Sequence, residues 1–144
     1  MATRQPGEYG YEDTSLQAMG GEAGVRALVD LFYDRMSELP EAGRILTMHP
    51  DIPLARDKLA VFLTGWLGGP KRYSERWGPI RIPAAHAHLP IDQADHDAWL
   101  LCMDGAIERM PVAPEFCAYF KREIRVPAAK VLNKTSCGHA APKS

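Results

Sequence analysis

The sequence predicts an all-α fold, and three observations support this prediction. Long segments repeat their apolar residues at steps of three and four, which is the spacing of one helix face. Prolines and paired glycines separate these segments, as expected where helices end. No segment shows the convincing apolar–polar alternation of a half-buried strand. We therefore expect long helices joined by short connections.

The first half of the chain contains two long predicted helices. A short helix over 11–19 precedes them and ends at a pair of glycines. The clearest helix covers 22–39, because its apolar positions recur regularly until a proline stops it. The next covers 53–67, with a proline in its first turn, and ends at Gly68-Gly69-Pro70.

The second half contains two more long predicted helices after a connector rich in proline. Three prolines fall between 71 and 90, so only short helices fit there. Asp92 suits the N-cap of a helix over 93–110, and a last helix follows over 114–132. Pro127 lies inside this last helix, where it is expected to kink or split it.

Length and composition indicate one domain, which we expect over 15–132 between flexible tails at 1–14 and 133–144. The 17 basic and 18 acidic residues nearly balance, which argues against an electrostatic nucleic-acid binder. No apolar run approaches the roughly 20 residues of a membrane span, and no signal-peptide core is visible, so we expect a cytoplasmic location without a membrane partner. The three cysteines form no Cys-x-x-Cys pair, which argues against a zinc or redox motif.

The stretch from 68 to 99 holds three of the five histidines. A lone histidine in a loop is most often a solvated side chain, so His86 by itself is a weak sign of a metal site. In a helix, His88 would not reach the same metal, because residues two apart do not share a helix face. In an extended segment the two would lie on one side and could form a zinc pair. The residues alone leave these alternatives open.

Short motifs follow one another through this stretch at near-constant spacing. They are Gly68-Gly69-Pro70, Tyr73-Ser74-Glu75, Gly78, His86, Pro90-Ile91, Asp97-Ala98-Trp99-Leu100 and Cys102-Met103. With Gly20-Gly21, Phe32-Tyr33 and Phe62-Leu63 further upstream, they resemble the group II truncated haemoglobins of bacteria over about 15–132. The resemblance implies a truncated globin fold, in which two helix pairs form a two-over-two sandwich.

The resemblance also implies a haem b cofactor whose iron is bound by His86. The proximal histidine of the family lies at a fixed distance from the glycine pair and from the tryptophan motif, and counting from either side reaches His86. His88, with Pro90 after it, imitates the family's His-x-Pro but would require compensating shifts on both sides. The family often has an arginine just before this histidine, where Ala85 stands here. Any propionate contact of that arginine must be lost or supplied elsewhere.

On the opposite side of the haem, the resemblance implies that Tyr33 and Trp99 donate hydrogen bonds to the ligand. Bound oxygen carries partial negative charge, which a donor in a dry pocket stabilises more than a donor in water. His49 matches a family position occupied by tyrosine, phenylalanine or histidine, from which it would support Tyr33. The alternatives are two core aromatic residues with backbone partners and a histidine at a surface turn.

Other residues match positions around the haem. Ala55 stands where many globins carry a distal histidine, and its small side chain leaves space for ligand entry. Three apolar residues would form the haem wall or ordinary core, and three polar residues would reach the propionates or form a solvated turn. The apolar residues are Leu59, Phe62 and Leu63, and the polar residues are Lys71, Arg72 and Tyr73.

Three functions are compatible with these features. The first is a haem protein that reversibly binds oxygen, carbon monoxide, nitric oxide or other small ligands. The second is a nitric oxide dioxygenase or a peroxidase, which would need an external reductase. The third is a helical scaffold that binds a partner without haem. No separate catalytic acid or base is marked in the sequence, which favours the first function. The sequence leaves open whether the protein forms a homodimer.

Overall fold

The computed structural model describes residues 8–47, 51–77 and 92–130. Within these ranges the chain forms α-helices and one 3-10 turn at Pro40–Ala42, and no strand. The all-α prediction is therefore confirmed for the described residues. The helices are α1 Thr14–Met19, α2 Gly21–Glu38, α3 Gly43–Thr47, α4 Ile52–Trp66, α5 Tyr73–Trp77, α6 Gln93–Glu108 and α7 Pro114–Ala129.

Local sequence explains where the long helices begin. The carboxylate of Asp51 accepts a hydrogen bond of 3.1 Å from the Leu54 backbone N–H, which caps α4. Asp92 caps α6 as predicted, and Asp95 completes a capping box with it. The Asp95 N–H donates to the Asp92 carboxylate at 3.0 Å, and the Asp92 N–H donates to the Asp95 carboxylate at 3.2 Å.

The predicted helix over 114–132 is confirmed as α7, up to its end at Ala129. Pro127 lies inside α7, and the helix continues through it, so the alternative of a split helix is wrong. A proline this close to a C-terminus removes one intrahelical hydrogen bond and leaves the rest of the ladder intact. The Lys130 N–H closes the last turn by donating to the Pro127 carbonyl at 3.1 Å.

The core lies where α2 packs against α4 on one side and α6 on the other, and α7 packs against α6. Every one of these helices contributes at least one fully buried side chain, as expected for a single core. The largest of them include Leu28, Phe32, Met36, Leu63, Met103, Ile107, Phe116 and Phe120. None of the described helices is both long and apolar enough to cross a membrane.

The segment before α1 also contacts this core. The ring of Tyr9, within the predicted N-terminal tail, lies 5.1 Å from the ring of Phe116 and 5.0 Å from that of Tyr119. The turn after α4 closes against the same segment. Gly68 has a φ of 101°, and a Cβ there would lie 1.8 Å from the Glu12 carbonyl oxygen. Glycine is therefore required at this position.

Candidate haem pocket

An apolar stripe runs along α4. Ala55, Leu59, Phe62 and Leu63 fall at helical spacing and share one side of the helix. Leu63 is fully buried in the core, whereas the other three pack against its edge and are only partly buried. One residue of the stripe, Leu63, thus belongs to the core, and the other three leave apolar surface partly accessible.

Tyr33 extends from α2 and is buried to 4% exposure. Burial raises the pKa of the Tyr33 phenol to about 12, and the nearby Arg56 cation opposes this rise. The phenol is therefore protonated at neutral pH and keeps an O–H group that can donate a hydrogen bond. Its ring makes an edge contact with Phe32 at 5.0 Å.

Trp99 extends from α6 toward the same aromatic group. Its ring lies 5.1 Å from the ring of Phe32, with the two planes at 61°. Trp99 is only partly buried, and among the described residues its indole N–H has no hydrogen-bond partner. Phe32 therefore contacts both Tyr33 and Trp99, which belong to different helices.

The predicted propionate contacts lie at and just before α5. The Lys71 ammonium donates a hydrogen bond of 2.7 Å to the Gly65 carbonyl, and Arg72 forms an ion pair of 3.0 Å with Glu22. The Tyr73 ring lies 6.5 Å from that of Phe62, which extends the apolar stripe toward α5. These contacts describe how the three side chains are held within the protein, and their contacts with haem stay predictions.

Comparisons with known proteins decide the family. A family model described as bacterial-like globin matches residues 14–124. The group 2 truncated hemoglobin YjbI of Bacillus subtilis is 32% identical over 115 residues, which cover 80% of this chain and 86% of that protein. The chain belongs to the bacterial-like globin family, among the group II truncated haemoglobins.

Solved structures agree with this assignment. The group II two-on-two haemoglobin of Agrobacterium tumefaciens superposes with a TM-score of 0.80 at 31% identity, over 94% of this chain and all of that one. The truncated haemoglobin of the Antarctic bacterium Pseudoalteromonas haloplanktis gives 0.79 at 30% identity, over 83% of this chain and 98% of that one. The predicted two-over-two globin fold is thereby confirmed.

Membership of this family implies a haem cofactor, and the described residues of the globin fit one. Haem is a flat and largely apolar molecule, which suits the partly accessible stripe of Ala55, Leu59 and Phe62. The indole N–H of Trp99, which has no partner among the described residues, provides a donor that could stabilise a polar ligand bound to the haem. When bound, haem supplies an iron centre that can take a diatomic ligand.

Two further parts of this globin were not identified from the sequence. The Arg56 guanidinium lies over the Tyr33 ring, 5.3 Å from its centroid. Asp95 is buried to 5% exposure and forms an ion pair with Arg44, which ties α3 to the start of α6. The capping box of Asp92 and Asp95 is a local signal for where α6 begins, but it does not indicate the ion pair with Arg44. No local pattern marks Arg56 as a neighbour of Tyr33.

The histidines predicted to serve the haem lie outside the described residues. These are the proximal candidate His86, its neighbour His88 and the distal candidate His49. Among the residues that are described, no group of three or more His, Cys, Asp or Glu side chains is placed to hold a metal ion.

Proposed function

We propose that this globin binds haem b through His86 and reversibly binds oxygen and other diatomic ligands. In this proposal Tyr33 and Trp99 donate hydrogen bonds to the ligand, and His49 supports them. The observation that carries it is the aromatic group in which Phe32 contacts both Tyr33 and Trp99. A solved relative from Bacillus subtilis, 32% identical over 83% of this chain, is described as an oxygen-avid haemoglobin, which supports oxygen as a ligand.

The chemistry of the two donors matches this task. A protonated phenol and an indole N–H carry no charge, so burying them costs less than burying a cation. A hydrogen bond to a neutral acceptor contributes about 0.5–1.5 kcal/mol net, and more when the acceptor carries charge. Bound oxygen carries more partial negative charge than bound carbon monoxide does. The two donors should therefore retain oxygen selectively.

Absorbance spectra of the ferric, ferrous and carbonmonoxy forms test haem binding. We expect an intense Soret band in all three forms, and its loss from a well-folded protein supplied with haem would contradict the proposal. A folded protein without this band would instead fit a helical scaffold. Turnover of nitric oxide or peroxide with an external reductant tests whether the globin is an enzyme.

Two conservative variants test the donors. Tyr33→Phe and Trp99→Phe keep most of the ring volume and remove the polar hydrogen. Each should speed oxygen release several-fold to about thirty-fold, because about 1.4 kcal/mol corresponds to a factor of ten. Carbon monoxide release is the control and should change less. If both variants release oxygen at the parent rate, neither side chain donates to the ligand.

A further inference from the structure

Arg56 connects α4 to α2 directly over Tyr33. Its guanidinium carbon lies 5.3 Å from the centre of the Tyr33 ring, within the range of a cation–π contact. The same guanidinium forms an ion pair of 2.7 Å with Asp30 and a longer one of 3.9 Å with Asp34. Asp30 lies almost one turn before Tyr33 on α2, and Asp34 directly follows it.

Arg56 lies in the first half of α4, close in sequence to the apolar stripe. It directly follows Ala55, the small residue at the beginning of the apolar stripe. Its side chain is 32% exposed, whereas those of Asp30 and Asp34 are 65% and 64% exposed. The Arg56 side chain is therefore more shielded from water than its partners are, and a cation–π contact is stronger where it is shielded.

We propose that Arg56 is a positioning residue for Tyr33, held over the phenol ring by Asp30 and Asp34. The planar guanidinium covers one face of the ring and limits its tilt, so that the O–H points steadily in one direction. The positive charge also polarises the O–H bond and makes the phenol a stronger donor. In agreement with this effect, Arg56 lowers the pKa of Tyr33 against the larger rise caused by burial.

The consequence for ligand binding rests on the proposed function, in which Tyr33 donates to oxygen. A better oriented and more acidic phenol holds a charged ligand longer. Cation–π contacts contribute enough to change an equilibrium by about two- to five-fold at exposed sites. Removing Arg56 should therefore speed oxygen release by about this factor, which is less than the loss of the hydroxyl itself.

Arg26 provides a matched control between the same two helices. It extends from α2 and pairs with Asp57 of α4 at 2.7 Å, the same distance as between Arg56 and Asp30. None of the cation–π pairs among the described residues joins Arg26 to the Tyr33 ring. Arg26→Met therefore removes a comparable interhelical ion pair without uncovering the phenol.

The experiment compares Arg56→Met, Arg56→Lys and Arg26→Met in the haem-loaded protein. The first readout is the NMR signal of the phenol carbon in protein labelled at the tyrosine Cζ, with the Tyr33 signal assigned through Tyr33→Phe. The second is the rate of oxygen release. We expect Arg56→Met to move the Tyr33 signal and speed release about two- to five-fold. Arg56→Lys should have a smaller effect, because it keeps the charge, and Arg26→Met should change neither readout.

The two readouts separate this inference from the proposed function. An unmoved Tyr33 signal in Arg56→Met, or the same shift in Arg26→Met, would overturn the positioning role whatever the oxygen rates are. A second outcome is that Arg56→Met moves the Tyr33 signal and Arg26→Met does not, while Tyr33→Phe leaves oxygen release unchanged. In that case Arg56 positions Tyr33, but Tyr33 does not donate to oxygen.

Discussion

The ring of Phe32 lies edge-on against Trp99, with the centroids 5.1 Å apart and the planes at 61°. The same ring also contacts Tyr33 at 5.0 Å. Phe32 is fully buried, so the surrounding core fixes its position. Two side chains from different helices, both proposed as ligand donors, are thus held by one core residue. We therefore expect the packing between α2 and α6 to affect ligand binding.

Replacing Phe32 with leucine should affect both stability and oxygen release. The loss of ring volume should cost about 1–2 kcal/mol, between a volume-conserving swap and full truncation. The lost aromatic contact, about 0.5–1.5 kcal/mol, should speed oxygen release by about two- to ten-fold. Urea unfolding measures the first effect and stopped-flow displacement the second.

Phe120→Leu is the matched control for this variant. Phe120 is also fully buried, but its ring contacts Trp66 at 5.9 Å and Phe116 at 6.2 Å instead of the two donors. It should lose similar stability and release oxygen at the parent rate. Equal acceleration in both variants would mean that general loosening of the core, and not the contact of Phe32 with the donors, controls release.

The long helices could be predicted because their signals are local. Apolar spacing, prolines and the Asp92 cap gave helices over 22–39, 53–67 and 93–110 that agree with the structure to within two residues at each end. The start of α4 was one residue late, because Asp51 had not been identified as its cap. The resemblance gave the family, which the comparisons confirmed.

Relationships between helices could not be predicted in the same way. Arg56 looks like any basic residue on an exposed helix face, and its distance to Tyr33 depends on how α4 crosses α2. The ion pair of Arg44 and Asp95 likewise joins residues 51 positions apart. The sequence carries no local pattern for such contacts. The ligand roles of Tyr33, Trp99, His49 and His86 stay predictions that rest on the resemblance.

The buried carboxylate of Asp95 should be important for stability. Asp95→Asn would leave Arg44 without this ion pair and weaken the capping of α6. Because Arg44 is 45% exposed and can be rehydrated, we expect a loss of about 1–3 kcal/mol and not the larger cost of a fully buried pair. Urea unfolding provides the measurement.

Asp97→Asn tests whether this loss is specific to the buried site. Asp97 lies in the same part of α6 but is 64% exposed, so its replacement should change stability by less than about 0.5 kcal/mol. Similar losses in both variants would show that the general charge of the helix N-terminus, and not the Arg44 ion pair, stabilises α6.

Tyr33 should make folding sensitive to alkaline pH. Burial raises the pKa of the Tyr33 phenol to about 12 in the folded protein, from its ordinary value of 10.0. The folded state therefore keeps a proton that the unfolded chain releases, and stability falls as pH rises between these two values. The slope from this group should approach about 1.4 kcal/mol per pH unit within the window.

Tyr33→Phe isolates this contribution, because phenylalanine has no proton to lose. Urea midpoints between pH 9.5 and about 11.5 should fall more steeply for the parent than for the variant. Parallel curves would show that the Tyr33 phenol ionises in the folded protein as readily as in the unfolded chain.

Separate alanine variants of His86 and His88 test whether this globin holds haem iron through His86, as proposed. Both are loaded with haem, and the absorbance spectra of their ferric, ferrous and carbonmonoxy forms are compared with the parent. In globins the strong axial ligand of the iron is a neutral imidazole, so the histidine that holds the iron is needed for normal haem binding. We expect His86→Ala to lose normal haem binding and His88→Ala to keep the parent spectra. Loss of normal haem binding in His88→Ala alone would contradict the account.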